Sequence, residues 1–428
     1  MSALAWLGLP AGALLVLAVL ASVMATLVVP RGLRSRLSGG VQTALAASFR
    51  LVASRRETYE ERDRILSLLG PAYLMCLVAA WLLLLYFGFT LMLWPLVGPS
   101  LADALRIAGS SMFTLGFAVP AGSAPTALVF LSAAVGLVVV ALQIAYLPTL
   151  YQAFNRRETL VTLLESRSGV PAWGPEILAR HELIDNTASL AELYSRWEEW
   201  AADLAETHTT YQALILFRSP FPLRSWITAL LSVLDAAALQ LSLNPLTAPA
   251  QARPFMRMGY VSLREIARVL DIPFNPDPRP EDPIELTRED FDGALELLST
   301  VGWRVERPPD EAWTHFRGWR VTYEPLAYAI ADRVDAPPSL WSGPRHARGS
   351  AAMAPARPPH RSPKGERAEV LALTEQRRAA RPVTTSYDHQ HQHPHDHDHD
   401  VQPAGAGDGA ALASRGEADA DSGGGSEG

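Results

Sequence analysis

Six histidines, His389, His391, His393, His395, His397 and His399, alternate with Gln, Pro and Asp residues between 388 and 400. Imidazole suits zinc, nickel and copper, so this run could collect any of the three. Other chemistry-bearing residues are sparse. Cys76 is the one cysteine, which excludes disulfide frameworks, CxxC redox chemistry and multi-cysteine zinc sites within one chain. His181-Glu182 lacks the second histidine of an HExxH metal helix, and no glycine-rich phosphate loop follows a strand signal. No Ser/His/Asp set stands out, and the expectation is that the chain is not an enzyme. The net charge is −7, Lys364 is the one lysine, and no basic stripe marks a nucleic-acid partner.

A second group of polar residues lies where the composition is most apolar. Ser100-Leu101-Ala102-Asp103 fits the S/T-x-x-D/E capping pattern and predicts a helix over about 100–112, roughly 20 Å long. Asp103 and Arg106 are spaced to pair along it. The partially negative C-terminal end of such a helix favours cations. Residues 97–125 are too short for a domain and are interrupted by Gly and Pro. Non-helical backbone at membrane depth is tolerated where protein encloses it or where it lines a wet cavity, so a re-entrant loop is expected.

The segment that follows, Ser111-Met112-Phe113-Thr114-Leu115-Gly116-Phe117-Ala118-Val119-Pro120, resembles the selectivity filter of the tetrameric potassium-channel superfamily. That family carries Thr-(Val/Ile/Leu)-Gly-(Tyr/Phe)-Gly, with a hydroxylated residue three positions before the Thr, here Ser111. The resemblance covers about 70–157. It implies that carbonyls of Thr114, Leu115, Gly116, Phe117 and Ala118, with the Thr114 hydroxyl, line a filter built from four copies and able to hold K+. It implies that Ser100, Asp103 and Ser111 support the filter through the short helix. Gly136, 20 residues after Gly116, matches the position of an inner-helix gating hinge; close helix packing is the other reading. Two residues depart from the pattern. Ala118 stands where the family has its second glycine, and an alanine forced to positive φ costs about 1–2 kcal/mol. Val119 and Pro120 stand where an acidic residue often follows.

The elements that must position this segment follow from the apolar runs. The chain is 49% hydrophobic and 19% charged, yet 65–102 runs 38 residues and 107–155 runs 49 residues without a charge. Spans are predicted at 4–29, 70–96 and 126–151, each long enough to cross a ~30 Å hydrocarbon layer. The first has no preceding positive charge and too long an apolar core for a cleaved signal. Arginines crowd 31–64 and follow the third span, whereas Arg106 alone lies between spans two and three. This bias predicts an inner or plasma membrane protein with the N-terminus outside and the C-terminus cytosolic. No span carries the arginine ladder of a voltage sensor.

The inner segments read as helical. Residues 50–69 predict a charged surface helix with i,i+4 pairs, and 156–166 continues the third span into the cytosol. Asn186 is the expected N-cap of a helix over 187–208, and Thr287-Arg288-Glu289-Asp290 opens another that ends near Gly302. The apolar stretch 226–243 is read as a buried core helix rather than a fourth span, because Asp235 sits at its centre. The tryptophans at 173, 197, 200, 226, 303, 313, 319 and 341 are read as core anchors. Residues 336–428 turn to Pro, Ala, Gly, Ser and Arg and are read as a disordered tail with a short helix near 365–380.

The expected fold is an all-α integral membrane protein. It has three transmembrane helices, a re-entrant pore loop between the second and third, a linker helix at 31–69, a helical cytosolic domain at 158–335 and the tail. The expected function is a cation channel, potassium-like, acting as a homotetramer in the lipid bilayer. Two alternatives remain open on sequence: a non-conducting membrane scaffold or sensor with a degenerate pore loop, and divalent-metal transport with the histidine run as cytosolic collector.

Overall fold

The computed structural model describes residues 3–29, 35–343 and 352–357. The six tail histidines and the predicted 365–380 helix lie outside them. Leucine, valine and alanine dominate α1 (Ala3–Val23), which passes into a π turn at Met24–Val28. Ser35 caps α2 (Arg36–Ala53), its Oγ accepting the Ser38 N–H at 3.4 Å. Thr58 does the same for α3 (Tyr59–Leu66), taking the Glu61 N–H at 3.3 Å. The single helix expected over 50–69 is therefore two helices, parted at the chain reversal that the Thr58 cap begins.

Three long apolar elements meet beyond this linker. α4 (Leu69–Val97) packs along α1, and their closest approach is set by glycine: a Cβ on Gly12 would lie 2.4 Å from the Gly88 carbonyl oxygen. Buried Trp81 donates its indole N–H to Ser22 Oγ at 3.0 Å, and that hydroxyl sits 2.6 Å from Ser35 Oγ, which ties the end of α1 to the cap of α2. The short α5 (Leu101–Met112) lies between α4 and α6 (Ser123–Ser168). α6 has 46 residues and runs without interruption from the predicted span 126–151 through 156–166, about 70 Å of helix.

The rest is helical: α7 (Gly174–Leu183), α8 (Leu190–Thr210), α9 (Trp226–Leu243), α10 (Ala252–Val269), α11 (Arg288–Thr300), α12 (Pro309–Arg320) and α13 (Glu324–Arg333). Among the described residues, four helical elements are long and apolar enough to cross a membrane, those holding α1, α4, α6 and α9. They differ in surroundings. Only 28%, 39% and 22% of the apolar windows in the first three are buried, against 100% for α9. α9 is the core around which α7, α8, α10, α12 and α13 pack.

Burial of Asp235 explains why α9 can sit there. Its carboxylate is paired with Arg320 and accepts the Tyr323 hydroxyl at 2.8 Å. Arg320 also donates to Glu324 at 2.5 Å, to the Tyr328 hydroxyl at 2.7 Å and to the Trp341 carbonyl at 2.7 Å. Burial pushes the Asp235 carboxyl up to about 6 against the opposing pull of Arg320.

Two expectations change at the edges of this domain and one holds. Asn186 makes no side-chain cap; a 3-10 turn at Thr187–Ser189 leads into α8 instead. The predicted capping box is present, with Thr287 Oγ1 and the Asp290 carboxylate reciprocally bonded, and α11 runs to Thr300, closed by Gly302 with φ +79° just beyond its C-cap. The boundary at 335 is too early. Ala336, Ser339, Trp341 and Ser342 are buried, and the Met353 N–H donates to the Pro338 carbonyl at 2.8 Å. Trp341 supplies the reason, since its ring meets Trp173 and Phe316 in the core. Of the eight tryptophans above, 197, 200, 226 and 341 are buried and the others pack partly buried against the same core.

Candidate functional site

The segment 113–120 is positioned by both ends of α5. At the N-terminus Ser100 Oγ accepts the Asp103 N–H at 3.3 Å, as expected of the cap. Asp103 and Arg106 face one another at 3.9 Å on the exposed side. The opposite face, with Ala104, Ile107, Ala108, Ser111 and Met112, is buried. Tyr86 of α4 steadies the helix by donating to the Leu105 carbonyl at 3.2 Å, while its ring rests 6.2 Å from that of Phe113.

Ser111 is buried and points to α6. Its hydroxyl donates to the Ala108 carbonyl at 3.1 Å and lies 3.3 Å from Ser132 Oγ. One turn beyond Ser132, Gly136 faces the end of α5, where an added Cβ would meet the Met112 carbonyl oxygen at 2.9 Å. α6 is unbroken there. The missing side chain admits the C-terminal end of α5.

The chain leaves α5 through a Schellman turn. The Thr114 N–H donates to the Ser111 carbonyl at 3.0 Å and the Leu115 N–H to the Ser110 carbonyl at 2.8 Å. The position that must be left-handed is Thr114, with φ +55°, and Gly116 follows with φ +72°. Glycine is the usual occupant of the first position, and a β-branched residue there is an outlier. Strain of this kind concentrates at functional sites.

Ala118 does not take a positive φ, so the strain expected from the missing second glycine is absent. Its N–H instead donates to Ser110 Oγ at 2.9 Å. Ser110 thus holds the loop through both its carbonyl and its hydroxyl. Sequence reasoning singled out its neighbour Ser111, and the helical register was the signal that could have separated the two: one serine faces α6, the other the loop.

The loop is exposed from Phe113 to Phe117 and again at Val119, with Leu115 63%, Phe117 61% and Val119 81% accessible. Among the described residues, no carbonyl oxygen of 113–117 accepts a hydrogen bond. These backbone carbonyls have no protein donor among the described residues, and they lie in a segment of exposed Phe, Leu and Val.

A second polar cluster sits where α6 enters the helical domain. Arg157 is buried, and its guanidinium donates to the carbonyls of Leu214 at 3.0 Å and Phe217 at 2.8 Å and to Glu158 at 2.9 Å. His208 Nε2 lies 3.2 Å from the same group. Burial, then the Arg157 charge, hold the His208 imidazole well below its ordinary range, so it is neutral at pH 7. This cluster fixes the foot of α6 to α8 and the 212–217 turn. No group of three or more His, Cys, Asp or Glu suited to a metal occurs among the described residues.

No protein family, no curated protein and no solved structure matches the chain.

Proposed function

We propose that the chain is one subunit of a homotetrameric cation channel, potassium-like, in which the 113–118 loops of four copies surround one pathway. The observation that carries the reading is the run of partnerless carbonyls at 113–117 on an exposed apolar loop, behind a capped helix lodged between two long apolar helices. Around a cyclic axis the four loops would replace an ion's hydration shell and cover one another's Leu115, Phe117 and Val119. Thr114 would add its hydroxyl, α5 would turn its C-terminal end toward the cavity, and α6 would line the cavity and carry motion to the domain through Arg157. The arginine distribution supports an inner membrane location with α2, α3 and the helical domain in the cytosol.

Cross-linking tests the assembly. In a Cys76→Ala background, Val119→Cys is expected to yield inter-subunit disulfides under mild oxidation, from a particle of four chains. A monomer, or Val119→Cys chains that never cross-link, would refute it. The positive charge of solvent-facing Arg106 on α5 favours the second reading, a non-conducting membrane scaffold or sensor that retains the loop, and its Asp103 partner at 3.9 Å offsets that charge.

A further inference from the structure

α8 and α10 carry stripes of opposite charge that a single chain leaves apart. On α10, Arg253, Arg257, Arg264 and Arg268 fall within about 60° of arc at 3.6 residues per turn. Arg268 holds Glu265 at 3.1 Å, and no carboxylate among the described residues lies within ion-pair reach of Arg253, Arg257 or Arg264. Arg264 stacks on Tyr260, 5.6 Å from the ring centre, and its Nε is buried without an acceptor. On α8, Glu192, Glu199, Asp203 and Glu206 likewise fall within about 60° of arc. Asp203 holds Arg156 of α6 at 3.0 Å and Glu192 holds Arg196 at 3.7 Å, while Glu199 and Glu206 are exposed and make no ion pair among the described residues.

The two helices run the same way along α6. α8 lies antiparallel to the foot of α6: Asp203 meets Arg156, the Trp200 indole donates to the Arg157 carbonyl at 3.1 Å, and Leu193 and Arg196 share a cavity with Leu164 and Arg167. α9 returns against α8, with the Tyr194 hydroxyl 2.7 Å from Gln240 at one end and the His208 and Trp226 rings 5.1 Å apart at the other. α10 returns again, since Phe255 stacks on Tyr194 at 6.0 Å and Gly259 packs on Leu234. Each stripe is about 21–23 Å long at 1.5 Å per residue. A bilayer crossed by α6 would meet only one end of the arginine stripe. A rotation axis along α6, by contrast, keeps α8 of one copy parallel to α10 of the next and at the same height. Counted from the stacked Tyr194 and Phe255, Glu192 stands level with Arg253 and Asp203 with Arg264. Glu206 falls one residue from the level of Arg268, and Glu199 lies between Arg257 and Arg264. Arg196 meets its like at Arg257, and Glu192 offsets it.

We propose that the arginine stripe of α10 docks on the acidic stripe of α8 in a second copy of the chain, a head-to-tail contact that repeats around the assembly below the membrane. It rests on the reading of several copies around one axis, but not on conduction. A two-fold contact of α10 with α10, or of α8 with α8, would set like charges together. Because α8 also grips the foot of α6 through Asp203 and Trp200, the contact ties each α6 to the domain of its neighbour.

The test uses full-length chains in the Cys76→Ala background, co-expressed with two different tags, one carrying Glu206→Cys and the other Arg268→Cys. Both positions are exposed. A bis-maleimide of about 10 Å, the spacing of packed helix axes, is expected to join the two variants and not two copies of the same variant. Arg264→Glu in the Arg268→Cys chain is expected to lower the yield roughly three- to tenfold, and Glu199→Arg in the other chain to restore most of it. Three results would overturn the proposal: no mixed adduct in an oligomer whose Val119→Cys chains cross-link, adducts between like variants instead, or a mixed yield indifferent to the charge at position 264. The first of these leaves the loop-built tetramer standing, whereas a monomer refutes both. A mixed adduct from protein that passes no ions supports the interface and removes the channel.

Discussion

Thr114→Gly separates the cost of the loop from its use. In the structure Thr114 holds φ +55° at the position where a Schellman turn favours glycine. Left-handed backbone costs an L-residue about 1–2 kcal/mol. Glycine recovers that, but its freer unfolded chain returns about 0.4–1 kcal/mol. Thr114 is exposed, so little packing is lost. The net expectation is a variant more stable than wild type by about 0.5–1 kcal/mol, a rise of roughly 1–3 °C in the unfolding midpoint for a chain of this size. Thr114→Ala keeps the strain while deleting the hydroxyl, and its midpoint is expected to match wild type. Tryptophan fluorescence during thermal unfolding reads both. On the proposed function, both variants also lose cation selectivity to the same degree, because each lacks the hydroxyl. A midpoint lowered by Thr114→Gly would refute the strain argument, and selectivity intact in both would refute the role given to the hydroxyl.

Other outcomes follow from the packing. Gly136→Val pushes a side chain toward the Met112 carbonyl, which a Cβ alone would already approach at 2.9 Å, and is expected to cost about 1–3 kcal/mol in thermal unfolding. Arg157→Met leaves Glu158 and two carbonyls buried without their donor; a loss of about 3–5 kcal/mol is expected, and limited proteolysis should open the 212–217 turn first. His208 has a folded pKa below its unfolded value near 6.5, so the unfolded chain binds the extra proton. Its contribution is present above pH 6.5 and is lost as pH falls below it. His208→Leu should therefore gain on wild type as pH drops from 7 to 5, by up to about 1.4 kcal/mol per unit. A stability difference flat with pH would show that the imidazole charges in the folded state.

What the sequence made legible was local. The Ser100 cap, the extent of α5, the run of α6 through 156–166 and the Thr287 box each depend on residues a few positions apart, and each is present. The break between α2 and α3 was equally local, since Thr58-Tyr59-Glu60-Glu61 is a capping pattern inside a stretch read as one charged helix. Long-range partners were not legible. Asp235 marked α9 as a core helix, but Arg320 lies 85 residues away and only the fold brings them together. Composition misled at 336–343, where Pro and Ala suggested a tail although Trp341 anchors the segment in the core. At the loop, the resemblance pointed to the residues but not to their conformation. Thr114 takes the strained backbone, Ala118 takes none, and Ser110, unmarked in the sequence, holds both ends of the turn.

The most direct test of the proposed pore is potassium flux into liposomes reconstituted with the purified protein, comparing wild type with Gly116→Asp. The account predicts flux down a potassium gradient in wild type and none in the variant, which places a side chain and a charge where φ is +72° and the carbonyls are open. Absence of flux from correctly assembled wild type, or equal flux in both, would contradict a conducting pathway built on this loop.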